Sequence, residues 1–341
     1  MVYKTPDNIG KKGGGAYVKK RLFVCLGMVL MLSLLIFGPA GTAEAKYPIK
    51  PIQLVVTYPP GGATDFQARI MTMTGEKHFG QPIVIINKAG AGGMTGWNWF
   101  VTSAPKDSHT LVTYNLPHFI AQSIVSPDVA KYDRNSFEPI GNWGADPAVL
   151  IVPADSPFNS VQDLVNFAKK NPGAVTFSGA GKYVGHHIAL LQLEKAAGIK
   201  TTYVPHDGGV PALLSVVSKK VMAGFNNLSD AFRSQDRIKI IGIADMKRSS
   251  FIPDVKTFKE MGINVDDASN NYRGIAAPKG TPPEIIKQLS NSFSEVVKDK
   301  GTLEKMEMTG GTMSVLTREE VIEMFKRLEV SLRDVLAEFI K

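Results

Sequence analysis

The feature that most constrains this chain is an alternation. Short, nearly continuous apolar runs give way again and again to a turn and then to an apolar stripe at helical spacing. Ile52–Thr57 (IQLVVT) reads as a strand. After the turn Tyr58–Gly62, Thr64 reads as a helix cap with Gln67 three residues on, and Phe66, Ile70 and Met73 as the inward face. Gly80 stops that helix. Ile83–Ile86, Leu111–Tyr114 and Ala148–Val152 read as the second, third and fourth strands. Ser160 with Asp163 opens a helix with the stripe Val161, Leu164, Val165 and Ala168, ended by Asn171-Pro172-Gly173. Thr176–Ser178 precedes a helix over Gly185–Ala197, closed by Gly198, and Thr201–Val204, Val221–Phe225 and Ile238–Ile243 are further strands. The last two helices open at Thr281-Pro-Pro-Glu284 and Thr317-Arg-Glu-Glu320, the latter running close to Lys341. Such alternation predicts an α/β architecture with open, mostly parallel sheets flanked by helices.

The N-terminus is a different kind of segment. Lys19, Lys20 and Arg21 precede the apolar run Leu22–Phe37, Pro39 and Gly41 break it, and Ala43-Glu44-Ala45 forms an A-x-A cleavage signal. A run of 16 residues is short for a membrane span. The reading is a signal peptide over residues 1–45 and a mature chain from Lys46, the alternative being an uncleaved anchor. Met1–Tyr17 is unusual ahead of such a segment, which leaves a translation start near Val18 open. The one cysteine, Cys25, lies inside the apolar run, so a disulfide framework and a zinc-thiolate site are excluded.

Residues 1–45 carry six Lys/Arg and two acidic residues. Taking them from the 39 and 31 of the whole chain leaves 33 and 29, an excess of four. That excess is dispersed, so nucleic acid is not an expected partner. An exported chain without cysteine fits a bacterial periplasm.

Three glycine-rich turns stand between a strand and a helix start. The first is Tyr58-Pro59-Pro60-Gly61-Gly62-Ala63-Thr64-Asp65. It exposes backbone N–H groups beside a helix N-terminus, which suits an anion; the plain alternative is an ordinary tight turn. Thr64 either adds a hydroxyl or caps, and Asp65 caps, holds a water or accepts from an amine. The second, Gly90–Gly96, resembles a dinucleotide fingerprint. It has Thr95 at the final glycine position and no acidic residue after Leu111–Tyr114, so it reads as another helix-start loop lining a cleft. The third, Ser178-Gly179-Ala180-Gly181-Lys182, is not a phosphate loop, because Tyr183 stands where a magnesium-binding hydroxyl belongs. There Lys182 either neutralises an anion or is a solvated loop tip.

His186-His187 is no metal pair, since adjacent helical residues point about 100° apart. No G-x-S-x-G elbow occurs, and no catalytic constellation or cofactor motif stands out. Asn227, Ser229 and Asp230 follow a strand, at the end where α/β ligand sites lie, or form a capped turn.

In order, these segments resemble the receptors of tripartite tricarboxylate transporters, the Bug-type or TctC-like family. The resemblance spans the mature chain. It rests on Tyr47-Pro48, Pro51-Ile52, Pro60-Gly61-Gly62-x-x-Asp65, Gly80-Gln81-Pro82 and Asn87-Lys88-x-Gly90-Ala91-Gly92-Gly93. It continues with Tyr203-Val204-Pro205, Gly208-Gly209-x-Pro211-Ala212, Asn227-x-Ser229-Asp230, Pro253-Asp254-Val255-x-Thr257 and Ala277-Pro278-x-Gly280-Thr281-Pro282. It implies a solute receptor, not an enzyme, with two α/β domains closing like a flytrap on a small carboxylate. The first would be 46–148 plus 272–341, the second 149–271.

The ligand would meet Tyr58, Pro60, Gly61, Gly62, Thr64, Asp65 and Asn115 from the first domain. From the second come Gly179, Gly181, Lys182, Tyr183, His187, Asn227, Ser229 and Asp230, with His187 favoured over His186. No metal or cofactor is implied. The partners implied are a large and a small membrane permease subunit, and the receptor itself is implied to be a monomer. A sensor for a membrane signalling partner, or an enzyme on the same scaffold, are the alternatives. Two departures bear on substrate class: Tyr183 and Val184 stand where the family commonly has Ser or Thr, and His206-Asp207 where it tends to show an aromatic residue and a lysine. Intact mass of the exported protein is expected to correspond to a chain beginning at Lys46; a mass retaining Leu22–Phe37 would show an uncleaved anchor.

Overall fold

The computed structural model describes residues 1–4 and 47–340. The signal segment, Cys25 and the cleavage after Ala45 lie outside the described residues. Pro48–Lys341 forms one compact unit.

Two sheets organise it. The first takes β1 (Ile52–Val56), β2 (Ile83–Asn87), β3 (Thr110–Leu116), β4 (Phe137–Asp146), β10 (Asn271–Pro278) and β11 (Thr312–Leu316), in the order β11-β4-β10-β3-β1-β2. The second takes β5 (Ala148–Pro153), β6 (Thr176–Gly179), β7 (Thr202–Pro205), β8 (Ala223–Asn227) and β9 (Ile238–Ala244), in the order β7-β6-β8-β5-β9. Only Pro147 separates the last strand residue of one sheet from the first of the other.

The sheets are mixed, not mostly parallel. Among the described residues, β1–β2, β1–β3, β6–β7 and β6–β8 pair parallel, while β3–β10, β4–β10, β4–β11, β5–β8 and β5–β9 pair antiparallel. The antiparallel strands are those that carry the chain from one sheet to the other and back, and a crossover helix is needed only where neighbours run parallel. Strand β4 was not foreseen, because Pro139, Gly141 and Gly144 interrupt its pattern. Gly141 is required there: a Cβ would stand 2.5 Å from the Phe293 ring.

The helices are α1 (Ala63–Met73), α2 (Gly75–Phe79), α3 (Met94–Ser103), α4 (His118–Val125), α5 (Val161–Lys170), α6 (Gly185–Ala197), α7 (Gly209–Val217), α8 (Leu228–Phe232), α9 (Pro283–Val296), α10 (Lys300–Glu307) and α11 (Arg318–Val335). Sequence signals located several ends well. Ser160 with Asp163, and Thr317 with Glu320, form reciprocal capping boxes. Gly198 closes α6 in the left-handed conformation.

Other ends differ. Helix α1 is capped by Gly62, not Thr64, whose hydroxyl is taken up by Asn115 and Arg273. Its inward face includes Thr64, Gln67, Ala68 and Met71, with Met73 exposed at 57%, because two polar residues of this helix, Thr64 and Gln67, are recruited into a buried network. It breaks at Thr74 before Gly80 ends α2. Pro282, not Thr281, caps α9; the Thr281 hydroxyl donates to the Pro278 carbonyl instead. Helix α11 stops at Val335, short of Lys341.

Strand β5 shows how the second sheet is held. Ala148, Leu150 and Val152 pack into one apolar cluster and Val149 and Ile151 into another, one per face, all at most 1% exposed. In the first half the core centres on Phe119, whose ring lies 5.1 Å from Phe325, 5.4 Å from Phe137 and 6.0 Å from Trp97. Phe119→Ala is expected to cost about 3–5 kcal/mol by emptying that centre, against about 1 kcal/mol for losing the α5 cap in Ser160→Ala. Denaturant unfolding of both variants checks the order.

Candidate functional site

The site lies where the carboxyl ends of β1, β3 and β8 meet helix starts from both halves. After β1 the chain turns through Tyr58–Gly62 into α1, and neither Gly62 nor Gly208, the caps of α1 and α7, supplies a capping side chain. Helix-start amides therefore look for partners beyond their own caps. Between these starts is a small chamber of about 20 Å³, lined by Tyr58, Gly62, Thr64, His118, His186 and Asn227 among others. That volume admits about one water.

The walls mix apolar surface with buried polar groups. Among buried side-chain atoms without a hydrogen-bond partner are His118 Nε2, Asn115 Oδ1, Asp230 Oδ2 and Arg273 Nη2. Buried polar groups are usually satisfied, and this region gathers several that are not. Burial drives the His118 imidazolium well below its ordinary range, with neighbouring His186 and Arg273 adding to the effect. Burial likewise takes His186 down to about 4, only partly offset by Asn227 and Asp146. Both rings are neutral at neutral pH. Burial raises the Asp230 carboxyl, against the pull of Arg233 and of the Ala63 N–H that it accepts.

The expected residues divide into groups. Tyr58, Gly62, Thr64 and Asn227 line the chamber. Asn115 is fully buried behind Thr64, donating to Thr64 Oγ1 at 2.8 Å and Asn271 Oδ1 at 3.0 Å. Pro60 and Gly61 are exposed and do not line it. Asp65 serves the loop itself: it accepts from the Gly61 N–H, Arg69 Nε and Nη2, and Asn87 Nδ2, all within 3.0 Å. Burial alone would raise its pKa, but those bonds from Arg69, Gly61 and Asn87 outweigh it and hold the carboxyl below its usual range.

Gly179 packs under Tyr203, where a Cβ would meet the phenol oxygen at 2.3 Å. Gly181, Lys182 and Tyr183 line a separate surface groove of about 410 Å³ together with Gly92 and Gln122. Ser229 is turned to Asp146, which accepts from its N–H and hydroxyl. Asp230 pairs with Arg233 beside the start of α7, where its Oδ2 would be 2.7 Å from a Cβ on Gly209. Of the two adjacent histidines, His187 stacks on Tyr203 at 4.2 Å and accepts from the Tyr183 N–H, whereas His186 is among the residues lining the chamber.

Sequence reasoning missed His118, Asn271, Arg273 and Asp146. Their partners are distant in sequence, so no local spacing marks them. Gly208-Gly209 was visible as a motif but not recognised as a wall.

The halves touch across this site. Gln122 Nε2 donates to the Ala91 and Lys182 carbonyls at 3.0 and 3.2 Å, and Asn271 Nδ2 to Asn227 Oδ1 at 3.2 Å. A Cβ on Gly181 would stand 2.8 Å from Gly92 Cα, so the backbones meet only because both residues are glycine.

Fold and site together define a solute-binding protein of the periplasmic type, and comparison with known proteins gives the family. Residues 67–319 match the model of the tripartite tricarboxylate transporter family receptor, and the chain belongs to that family, whose members are substrate-binding proteins, not enzymes. A relative from the tcbD–tcbE intergenic region of Pseudomonas sp. strain P51 is 30% identical over 82% of this chain and 83% of its own length. Protein BugT of Bordetella pertussis is 29% identical over 88% and 91%. Among solved structures, a periplasmic transporter shares 28% identity with a TM-score of 0.80, covering 86% of this chain and 99% of its own. MatC of Rhodopseudomonas palustris with bound malate superposes at 0.78 with 24% identity, covering 85% and 100%. A second R. palustris protein, with adipate, superposes at 0.80 with 21% identity, covering 86% and 98%.

The neutral histidines carry a pH signature. Each folded-state pKa lies below the unfolded value of about 6.5, so below that pH the unfolded chain binds protons that the folded chain refuses. Stability is expected to fall as pH drops from about 6.5 toward 4, by up to about 1.4 kcal/mol per pH unit for each fully shifted histidine. A melting temperature unchanged between about pH 7 and pH 5 would contradict this.

Proposed function

We propose that this protein is a periplasmic receptor that captures a small carboxylate between its two halves and delivers it to a membrane permease of one large and one small subunit. The observation that carries the reading is the set of unpartnered buried polar atoms around helix starts contributed by both halves. Family membership supports it, as do the malate and adipate held by proteins of the same fold. Export through cleavage after Ala45 belongs to the same reading.

The chamber of about 20 Å³ is far below the roughly 300 Å³ or more of an ordinary ligand pocket. A ligand of several heavy atoms enters only if the halves part. We assign one lobe to 46–146 with 271–341 and the other to 148–270, a residue or two from the division expected from sequence, hinged at Pro147 and near Asn270. The contacts of Gln122 with Lys182 and of Asn271 with Asn227 break on opening. Closure is then a population shift driven by a ligand that binds the closed form better. The carboxylate would meet Gly62, Ala63 and Thr64 at the start of α1.

A thermal-shift screen of mono-, di- and tricarboxylates, amino acids and aromatic acids tests this. At a hundred times its dissociation constant a true ligand stabilises by about 2.7 kcal/mol, a shift of a few degrees. No shift from any acid, repeated after refolding to strip carried-over ligand, would sink the carboxylate reading.

A further inference from the structure

One carboxylate of the chain itself stands where the ligand's would go. Asp230 belongs to α8, in the half that holds β8, and is 3% exposed. Its Oδ1 accepts from Arg233 Nη2, three residues on. Its Oδ2 lies over the start of α7, where only a glycine leaves room: a Cβ on Gly209 would stand 2.7 Å away. The carboxyl also accepts from the Ala63 N–H, which belongs to the other half and opens α1.

That amide is one that α1 cannot satisfy by itself. The helix ladder begins with the Phe66 N–H, which donates to the Gly62 carbonyl at 2.9 Å, so the amides before it have no carbonyl within the helix. Gly62 brings no side chain to cap them. The positive ends of two helix dipoles, those of α1 and α7, therefore meet at one buried carboxylate, with a guanidinium as its counter-charge.

The residues around Asp230 hold the same junction. The Arg233 guanidinium lies over the Phe66 ring, 4.7 Å from its centroid. Asp230 and Arg233 are three residues apart, as are Ala63 and Phe66, so one face of α8 meets one face of α1 at two points. Phe232 packs on Gly310, where a Cβ would stand 2.9 Å from the ring. All three contacts join the halves, and none of them needs a ligand.

We infer that Asp230 is a built-in surrogate for the ligand's carboxylate: it occupies the start of α1 in the empty receptor, holds the halves together through α8, and is displaced when a ligand enters. It rests on the carboxylate reading and adds what fills the site beforehand. One N–H donates to one carboxylate at a time, so ligand and Asp230 compete for Ala63. Asp230 keeps Arg233 as it leaves, because both belong to the same half. The small volume of the chamber follows, since the place beside α1 is already taken from the opposite side. A receptor that rests closed loses apparent affinity in proportion to the fraction competent to bind; with about one molecule in ten open, freeing the start of α1 raises affinity about tenfold.

Titration calorimetry with acetate, malate and adipate tests this on the unaltered protein, Asp230→Asn and Asp230→Ala. Asparagine keeps the volume and removes the charge. Any acid that binds is expected to bind the variants about tenfold tighter. Small-angle X-ray scattering reads the resting state. The ligand-free unaltered protein is expected to have the radius of gyration of the closed form, and ligand-free Asp230→Ala a larger one that contracts when the acid is added. Equal or weaker affinity in both variants would overturn the inference and leave the carboxylate reading standing. So would an unaltered protein that is already open without ligand, a result that needs no variant to fold. No binding of any of the three acids to any of the three proteins would overturn both.

Discussion

The arrangement depends on one buried carboxylate at the point where the chain passes between its sheets. Asp146 ends β4, and after Pro147 the chain is already in β5. Its Oδ2 accepts from Arg273 Nη1 at 2.8 Å, with the two side chains 1% and 0% exposed, and it also accepts from the Ser229 N–H and hydroxyl. One residue thus ties β4 and β10 of the first sheet to α8 of the second. Such a pair is not strong evidence of net stability, since desolvating two charges is expensive, but losing one partner costs several kcal/mol. Its consequence here is positional. It fixes where the sheets abut, and so where the helix starts of α1 and α7 converge.

Around that point the protein uses polar groups sparingly and keeps charge away from the chamber. Arg273 is neutralised by Asp146 and further bonded to Thr64 and Gln67. Asp230 is paired with Arg233, and the two chamber histidines are neutral. What remains at the wall is amide and imidazole chemistry, in a low dielectric where hydrogen bonds are strong and unmet ones costly. The near contact of Gly92 with Gly181 brings the two backbones together beside this region.

Much of this was legible in the chain. The Gly-rich turn before α1, the strand-end loop Asn227–Asp230 and the capping boxes at Ser160 and Thr317 are local patterns, and local patterns survive folding. Individual roles were less legible. Asp65 and Thr64 belong to one motif, yet Asp65 turns back to hold the Gly61 amide and Asn87, while Thr64 turns to the interior. Adjacent helical positions point in different directions, and which one faces the partner half depends on how that half docks. The same rule puts His186, and not His187, among the residues lining the chamber.

By itself the sequence determined the α/β class, the helix-start loops suited to an anion, and a family resemblance that the comparisons bear out, because these depend on spacing of a few residues or on an ordered series of motifs. Only the tertiary structure decided that the sheets are mixed, that Arg273 and Asp146 meet across 127 positions of chain, and that His118 faces the same chamber as His186. Those facts arise from docking two sheets against each other, a long-range event that no local pattern encodes.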